Sequence, residues 1–503
     1  MPQLTAVVIC SLLAVLLASS WTRYRVRMAK LDRISTVGYS GLLSSYISAY
    51  KFIKHGAAIV QEGCTKYRGA AFKVPLMDKW IVIISNADMV EDFYRASEAQ
   101  LSLQEAFRET FHADLVLGKQ PGQDPYHVGV IQGTLTRNLG AKFPEIYDEM
   151  LAAFNDEVPP TDDWVQVATT QKVLNIQDTH SDAGRNEEWR AIVLDYATKV
   201  FTASQTINLF PKFLQPAVGW WINPRPASYR HAVKYLEPII LDRLQKEKQQ
   251  GVDWDAPEDL LTWLLKSATV NEKERRDPAN LILSILTVNM GAIHTTVCSK
   301  LLSRKLSLTS ISPTPEHGEC RIHVDLEAHD PTSPNLQAFT NAIFNLALRP
   351  ELIDILRREI EPIVKEDGWT KNAMGKMRIL DSFLKESQRY SSSFSISVQR
   401  KPLENFTFSN GTVVPAGTII VASPRAIHFD ENHYPNPSEF DAFRSYRMNE
   451  KSGNMKHQMA TPETNYLAFG IGKHAWRSRA RICSNRAEAA GFSLVVELRH
   501  HVR

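Results

Sequence analysis

Apolar positions along this chain change period several times, and each change marks an element. Residues 4–21 form one uncharged, largely apolar run of about bilayer-spanning length, followed by Arg23, Arg25, Arg27 and Lys30. Positive residues stay cytoplasmic, so the run predicts an uncleaved amino-terminal anchor over residues 1–22, with residues 23–503 following on the cytoplasmic side. The small residues Ala18-Ser19-Ser20 leave a cleaved signal peptide as the alternative. Residues 36–52 read as a loop and amphipathic entry segment suited to a membrane surface. Residues 70–75 and 80–84 are β-rich and predict a hairpin across Met77-Asp78-Lys79. Helical spacing then takes over at residues 87–106, 127–154, 188–201, 226–249 and 259–265. Residues 280–298 are apolar nearly all round, as a buried helix is. Residues 383–390 are helical again. Beyond them Phe406-Thr407-Phe408, the turn Asn410-Gly411 and residues 413–420 read as strands. A helical middle with β-rich pieces near both ends predicts a mainly α, α+β architecture: a large helical domain plus a small β-rich region.

Composition narrows the function without choosing it. The chain has 503 residues, 44% hydrophobic, enough for one large helical domain or two medium ones. A formal net charge of +3 is too small to argue for nucleic acid as a partner. Cys10, Cys64, Cys298, Cys320 and Cys483 form no close pairs, which argues against a disulfide framework or Cys-x-x-Cys knuckle and for a reducing compartment. Residues 299–337 are polar, aperiodic and punctuated by proline. A structureless loop of that length is unusual inside a compact domain. It is either a surface insertion or a segment foreign to the domain, and removing it joins Thr295-Thr296-Val297 to Ala338-Phe339-Thr340 in one helical reading.

Three constellations carry candidate chemistry. In Phe469-Gly470-Ile471-Gly472-Lys473-His474-Ala475 the paired glycines let the backbone turn tightly and approach a flat ligand. Phe469 can pack on such a ligand, and His474 can reach an anionic group on it. Glu386 and Arg389 share a helix face; an exposed pair of that kind is the commonest form of the motif and is worth little. In the long apolar helix, Gly291-Ala292-Ile293-His294-Thr295-Thr296 brings hydroxyls that can take over backbone carbonyls and loosen the helix locally. A satisfied core helix is the plain alternative there.

With Phe440-Asp441-Ala442-Phe443-Arg444 between them, these stretches resemble the haem-binding core of the cytochrome P-450 monooxygenases, and the resemblance spans most of residues 30–475. Val37-Gly38-Tyr39-Ser40, Phe408-Ser409-Asn410-Gly411 and Tyr434-Pro435-Asn436-Pro437 are similar to fungal, basidiomycete-type members near the ent-kaurene oxidase-like group. The resemblance implies the cytochrome P-450 fold and a haem b cofactor with its iron. It implies electrons from NADPH through NADPH–cytochrome P-450 reductase, with cytochrome b5 as a further donor. The implied substrate is a hydrophobic small molecule, a terpenoid among the candidates, and the implied location is the endoplasmic reticulum membrane, single-pass, with a cytoplasmic catalytic domain. Position by position, Arg444 becomes the third member of a structural triad with Glu386 and Arg389. Arg137, Arg400 and His474 become cations for the haem carboxylates, and Phe469 and Gly472 lie against the ring. Thr295, with His294 in place of the usual acid, becomes the pair that delivers protons to dioxygen.

One position departs. The family's iron-ligating cysteine falls two residues after His474, where this chain has Trp476. An indole offers only an N–H donor, and thiolate donation is what favours O–O cleavage. Cys483 is an unlikely substitute, in a segment that no longer resembles the family. A frame error after Ala475 accounts for the lost cysteine and makes residues 476–503 a frame-shifted tail; a retained intron makes residues 299–337 a non-native insertion. Two readings stay open: a haem-dependent monooxygenase carrying these defects, or a catalytically dead pseudoenzyme or binding protein of the same fold, without the axial cysteine.

Overall fold

Strands from near the two ends of the chain meet in one mixed sheet, and the helices gather beside it. The computed structural model describes residues 29–41, 43–118, 122–138, 187–223, 225–251, 254–268, 273–297, 311–313, 320–322, 338–391 and 395–472, with the single residues 22, 148 and 152. β2 (Phe72–Pro75) and β3 (Trp80–Ile84) form the expected hairpin, in register from Phe72 opposite Ile83 to Pro75 opposite Trp80. β1 (Ser35–Thr36) adds in parallel outside β2. On the other side β10 (Ile419–Ala422) runs parallel to β3, β7 (Ser397–Pro402) antiparallel to β10, and β4 (Leu101–Ser102) antiparallel to β7. β3 and β10 are buried throughout, which is why they read as unbroken apolar runs rather than as alternation.

Two expected elements are divided. Residues 87–106 become the helices Ala87–Arg95 and Leu103–Phe111 with β4 between them. The Ser102 hydroxyl accepts the Glu105 amide, so a second helix starts where periodicity alone ran on. Residues 413–420 divide at Pro415, which has no amide to donate. β9 (Val413–Val414) pairs with β8 (Phe406–Thr407) across a turn with Gly411 at φ +82°, and β10 begins after Gly417 at φ +73°.

The helices Glu187–Asn208, Arg225–Gln250 and Pro278–Val297 pack on one another around Val193, Tyr196, Val200, Leu281, Ile282 and Leu286. The helix Leu260–Ser267 starts at Asp259, whose carboxylate caps the Thr262 amide at 2.9 Å and takes both Arg243 guanidinium nitrogens at 2.5 Å. A second apolar cluster joins Ala338–Ala347, Glu351–Asp367 and Arg378–Tyr390. Of residues 299–337 the structure describes β5 (Ile311–Pro313) and β6 (Cys320–Ile322). They pair with each other and, among the described residues, with no strand of the main sheet.

The membrane expectation is corrected. Among the described residues no helix is long and apolar enough to cross a membrane. The apolar helix Pro278–Val297 is interrupted by Asn280, Ser284, Thr287 and Asn289 and is packed inside protein; Arg225–Gln250 is longer but strongly charged. The run at residues 4–21 lies outside the described residues. The entry segment at 36–52 leads into the helix Ser44–Lys66, which packs on β2. The transmembrane anchor, the membrane as a partner and the single-pass endoplasmic reticulum location are therefore dropped.

Candidate active site

The helix Arg378–Tyr390 is the spine of the site because it buries polar side chains, and Ser382, Lys385, Glu386 and Arg389 among them find partners on other segments. Its first turn is satisfied by Glu359, whose carboxylate accepts the Ile379 and Leu380 amides at 2.7 and 2.9 Å. Glu386 and Arg389 are each 1% exposed, and Arg444 is 8% exposed. Arg389 grips Glu386 with two bonds, Nε to Oε2 at 2.8 Å and Nη2 to Oε1 at 2.7 Å. Arg444 Nε lies 3.2 Å from Oε2 and 3.3 Å from Oε1, and the Asp441 amide donates to Oε1 at 3.0 Å. The remaining guanidinium hydrogens go to backbone carbonyls. Arg389 reaches His428 and Pro437 at 2.8 and 2.9 Å, and Arg444 reaches Pro435 at 2.6 Å. Charge-assisted bonds of this kind are the strong ones, and together they knit the segment 428–444 to the helix.

The same helix holds the approach to the glycine loop. Asp381 accepts the Met459 amide at 3.1 Å, and Lys385 pairs with Glu463, which also meets His457 Nδ1 at 2.7 Å. Tyr434 Oη donates to the Asn465 carbonyl at 2.9 Å, and the Leu467 amide donates to His428 Nε2 at 2.9 Å. Burial, reinforced by the Arg389 cation, pushes His428 down to about 3, so its imidazole is a neutral acceptor. Past these anchors Phe469 packs, half-buried, on the cluster beneath the helix Arg378–Tyr390. Gly470 and Gly472 take φ +76° and +70°, where a side chain is strained.

Arg400 stands apart from this network. It is 4% exposed on β7, donates to the Gln399 carbonyl at 2.8 Å and lies 6.0 Å from the Phe93 ring. Among the described residues no carboxylate comes within ion-pair distance of it. Burial pulls it down to about 10, and the more distant Glu98 only partly restores it. The Thr418 hydroxyl, fully buried two residues before Arg400's register partner Ile420, has no hydrogen-bond partner among the described residues.

The other expected residues fall elsewhere. Arg137 is exposed on the short helix Thr136–Asn138, after a π-helical turn at Ile131–Leu135. His294 and Thr295 lie near the end of the helix Pro278–Val297, and their side chains are outside what is described. His474, Trp476 and Cys483 lie outside the described residues.

Residues 322–475 match the cytochrome P-450 family. The chain is 34% identical to cytochrome P-450 monooxygenase 110 of Postia placenta over 471 residues, covering 91% of this chain and 86% of that one. It is equally similar, with the same coverage, to cytochrome P-450 monooxygenase 71 of that fungus. Cytochrome P-450 monooxygenase 151, again from Postia placenta, is 33% identical over 468 residues, 91% and 85% of the two chains. The chain belongs to the fungal cytochrome P-450 monooxygenases. It is thus classed as a haem-type oxidoreductase, and membership of the cytochrome P-450 family implies haem b and electrons supplied from NADPH by a reductase.

The described residues fit that cofactor on its carboxylate side. A buried arginine that has no carboxylate partner among the described residues is what a dicarboxylate ligand would complete. Sequence reasoning missed Lys385, Glu463, His457, Asp381 and His428. The usable signals were Lys385 beside Glu386 on a buried helix, and a histidine flanked by Ile427 and Phe429.

Proposed function

We propose that this is the scaffold of a monooxygenase for hydrophobic small molecules, of the ent-kaurene oxidase-like type with a terpenoid as its substrate class, and that the chain as written lacks the thiolate its reaction needs. The observation that carries the cofactor reading is Arg400, a cation held in the core with no carboxylate at ion-pair distance among the described residues. Arg400, Arg137 and His474 take the haem carboxylates, while Phe469 and Gly472 lie against the ring. Glu386, Arg389 and Arg444 hold the frame around it. Thr295 and His294 would hold and pass protons. Haem bound through a cysteine thiolate supplies the activation of dioxygen.

Trp476 favours the defect. The family match ends at Ala475, the residue before it, which supports a frame change at that point. Residues 299–337 are read as an insertion on a different ground, their polar, aperiodic sequence, although the family match already begins at residue 322. The test is the spectrum of reduced, carbon-monoxide-treated protein, beside the native message read across codons 290–345 and 465–503. The chain as written should give no red-shifted thiolate band, and the chain repaired after Ala475, which carries Trp476→Cys with the restored frame, should gain one. A full thiolate band from the unaltered chain overturns the reading and promotes Cys483. A message that encodes Trp476 favours the pseudoenzyme. In the cysteine-bearing chain, Thr295→Ala should uncouple oxygen consumption from product, and unchanged coupling removes Thr295 from the reaction.

A further inference from the structure

His428 has no assigned part in that chemistry, yet it is fully buried and its two ends do different work. It closes the short helix Pro424–His428, directly after β10. Its carbonyl accepts Arg389 Nη1 at 2.8 Å, which ties it to the ion cluster. Its Nε2 accepts the Leu467 amide at 2.9 Å, two residues before Phe469. An Nε2 that accepts must be unprotonated, so the neutral ring carries its hydrogen on Nδ1, and Nδ1 has no hydrogen-bond partner among the described residues. An imidazole with one unsatisfied nitrogen is unfavourable in a core unless the other nitrogen makes up for it. The ring is also fixed in plane, stacked on Tyr466 at 5.5 Å between centroids and 22° between planes. A second proton would remove the acceptor and set a further cation beside Arg389 and Lys385.

We propose that His428 is a positioning residue: one residue couples the Glu386–Arg389–Arg444 cluster to the Phe469–Gly472 loop, and its neutral Nε2 sets where that loop stands. The inference rests on the haem-loop reading, but its first readout does not need haem. Amide hydrogen exchange is compared in the full chain, His428→Phe and His428→Gln, the last keeping an oxygen able to reach the Leu467 amide. His428→Phe should speed exchange over residues 467–470 by about tenfold and leave residues 380–389 within about twofold, and His428→Gln should restore most of the protection. Should His428→Phe not fold, His428→Asn, whose oxygen stops short of Leu467, takes its place under the same criterion. Unchanged exchange in the Phe or Asn variant, or equal loss in His428→Gln, overturns the proposal. In the repaired chain, His428→Phe should weaken the red-shifted band and His428→Gln should recover it. A band indifferent to both variants also overturns it. Failure of the repaired chain itself to show a band counts against the haem-loop reading instead, and leaves the exchange result to decide the anchor.

Discussion

Arg389 and Arg400 are both withdrawn from solvent, at 1% and 4% exposed, and their surroundings could hardly differ more. Arg389 spreads its guanidinium over both Glu386 oxygens and the carbonyls of His428, Pro437 and Glu439. The hydrogen bond Arg400 makes among the described residues is to its own neighbour, Gln399. A buried charge is tolerated when it is paired and its remaining hydrogens are satisfied. By that standard Arg389 belongs to the frame, and Arg400 is set apart as the cation proposed above to meet a ligand. The two should therefore respond to substitution with opposite signs.

The largest effect is expected at the paired end. Glu386→Gln leaves Arg389 and Arg444 buried without their counter-charge, and should lower stability by roughly 3–5 kcal/mol. Urea unfolding of the purified chain measures this. A loss under about 1 kcal/mol would show that the carbonyls alone hold the two arginines, and the contrast with Arg400 would lose its basis.

Next comes the pH response of His428, which sits at the join. Its folded pKa of about 3 lies below the unfolded value near 6.5, so the unfolded chain takes the proton first. Its contribution is complete above the unfolded pKa and is lost as pH falls toward 3. From pH 7 to pH 5 the loss should be about 2 kcal/mol. Arg389 and Lys385 face the ring from the helix Arg378–Tyr390, Tyr466 stacks on it, and Asp381 is pushed up to about 6 by burial and works in the opposite direction. The comparison that isolates the histidine is the slope of stability against pH in the parent minus that in His428→Phe. Parallel slopes would mean that the imidazole is not kept neutral.

Much of this frame could be read in the chain because its signals are local. The hairpin at β2 and β3, the helix Pro278–Val297 and the Glu386–Arg389 spacing all lie within single elements. What escaped was long-range or hidden in small residues. Ser102 ends one helical reading and starts another through a single hydroxyl, and Pro415 divides a run that hydrophobicity joined. His428 and Glu463 are unremarkable in sequence because each acquires its role from a partner brought near by folding. The anchor at residues 1–22 was argued from an apolar run and the positive residues after it, and among the described residues length and apolarity never coincide in a spanning helix.

The smallest effect is expected at the unpaired end, and its sign matters more than its size. Arg400→Leu removes a desolvated cation whose pKa burial has already lowered to about 10, and exchanges it for a side chain suited to a site between Phe93 and β10. Without haem, the variant should be as stable as the parent or more stable by about 1 kcal/mol in the same urea experiment. With haem, in the repaired chain, it should retain the cofactor roughly tenfold less well, because a charge-assisted contact to a carboxylate is lost. Those two results together would separate a residue kept for a ligand from one kept for the fold. If Arg400→Leu instead unfolds the chain as Glu386→Gln does, Arg400 is part of the frame and its buried charge is satisfied within the protein. The haem carboxylates would then have to be held by Arg137 and His474 alone.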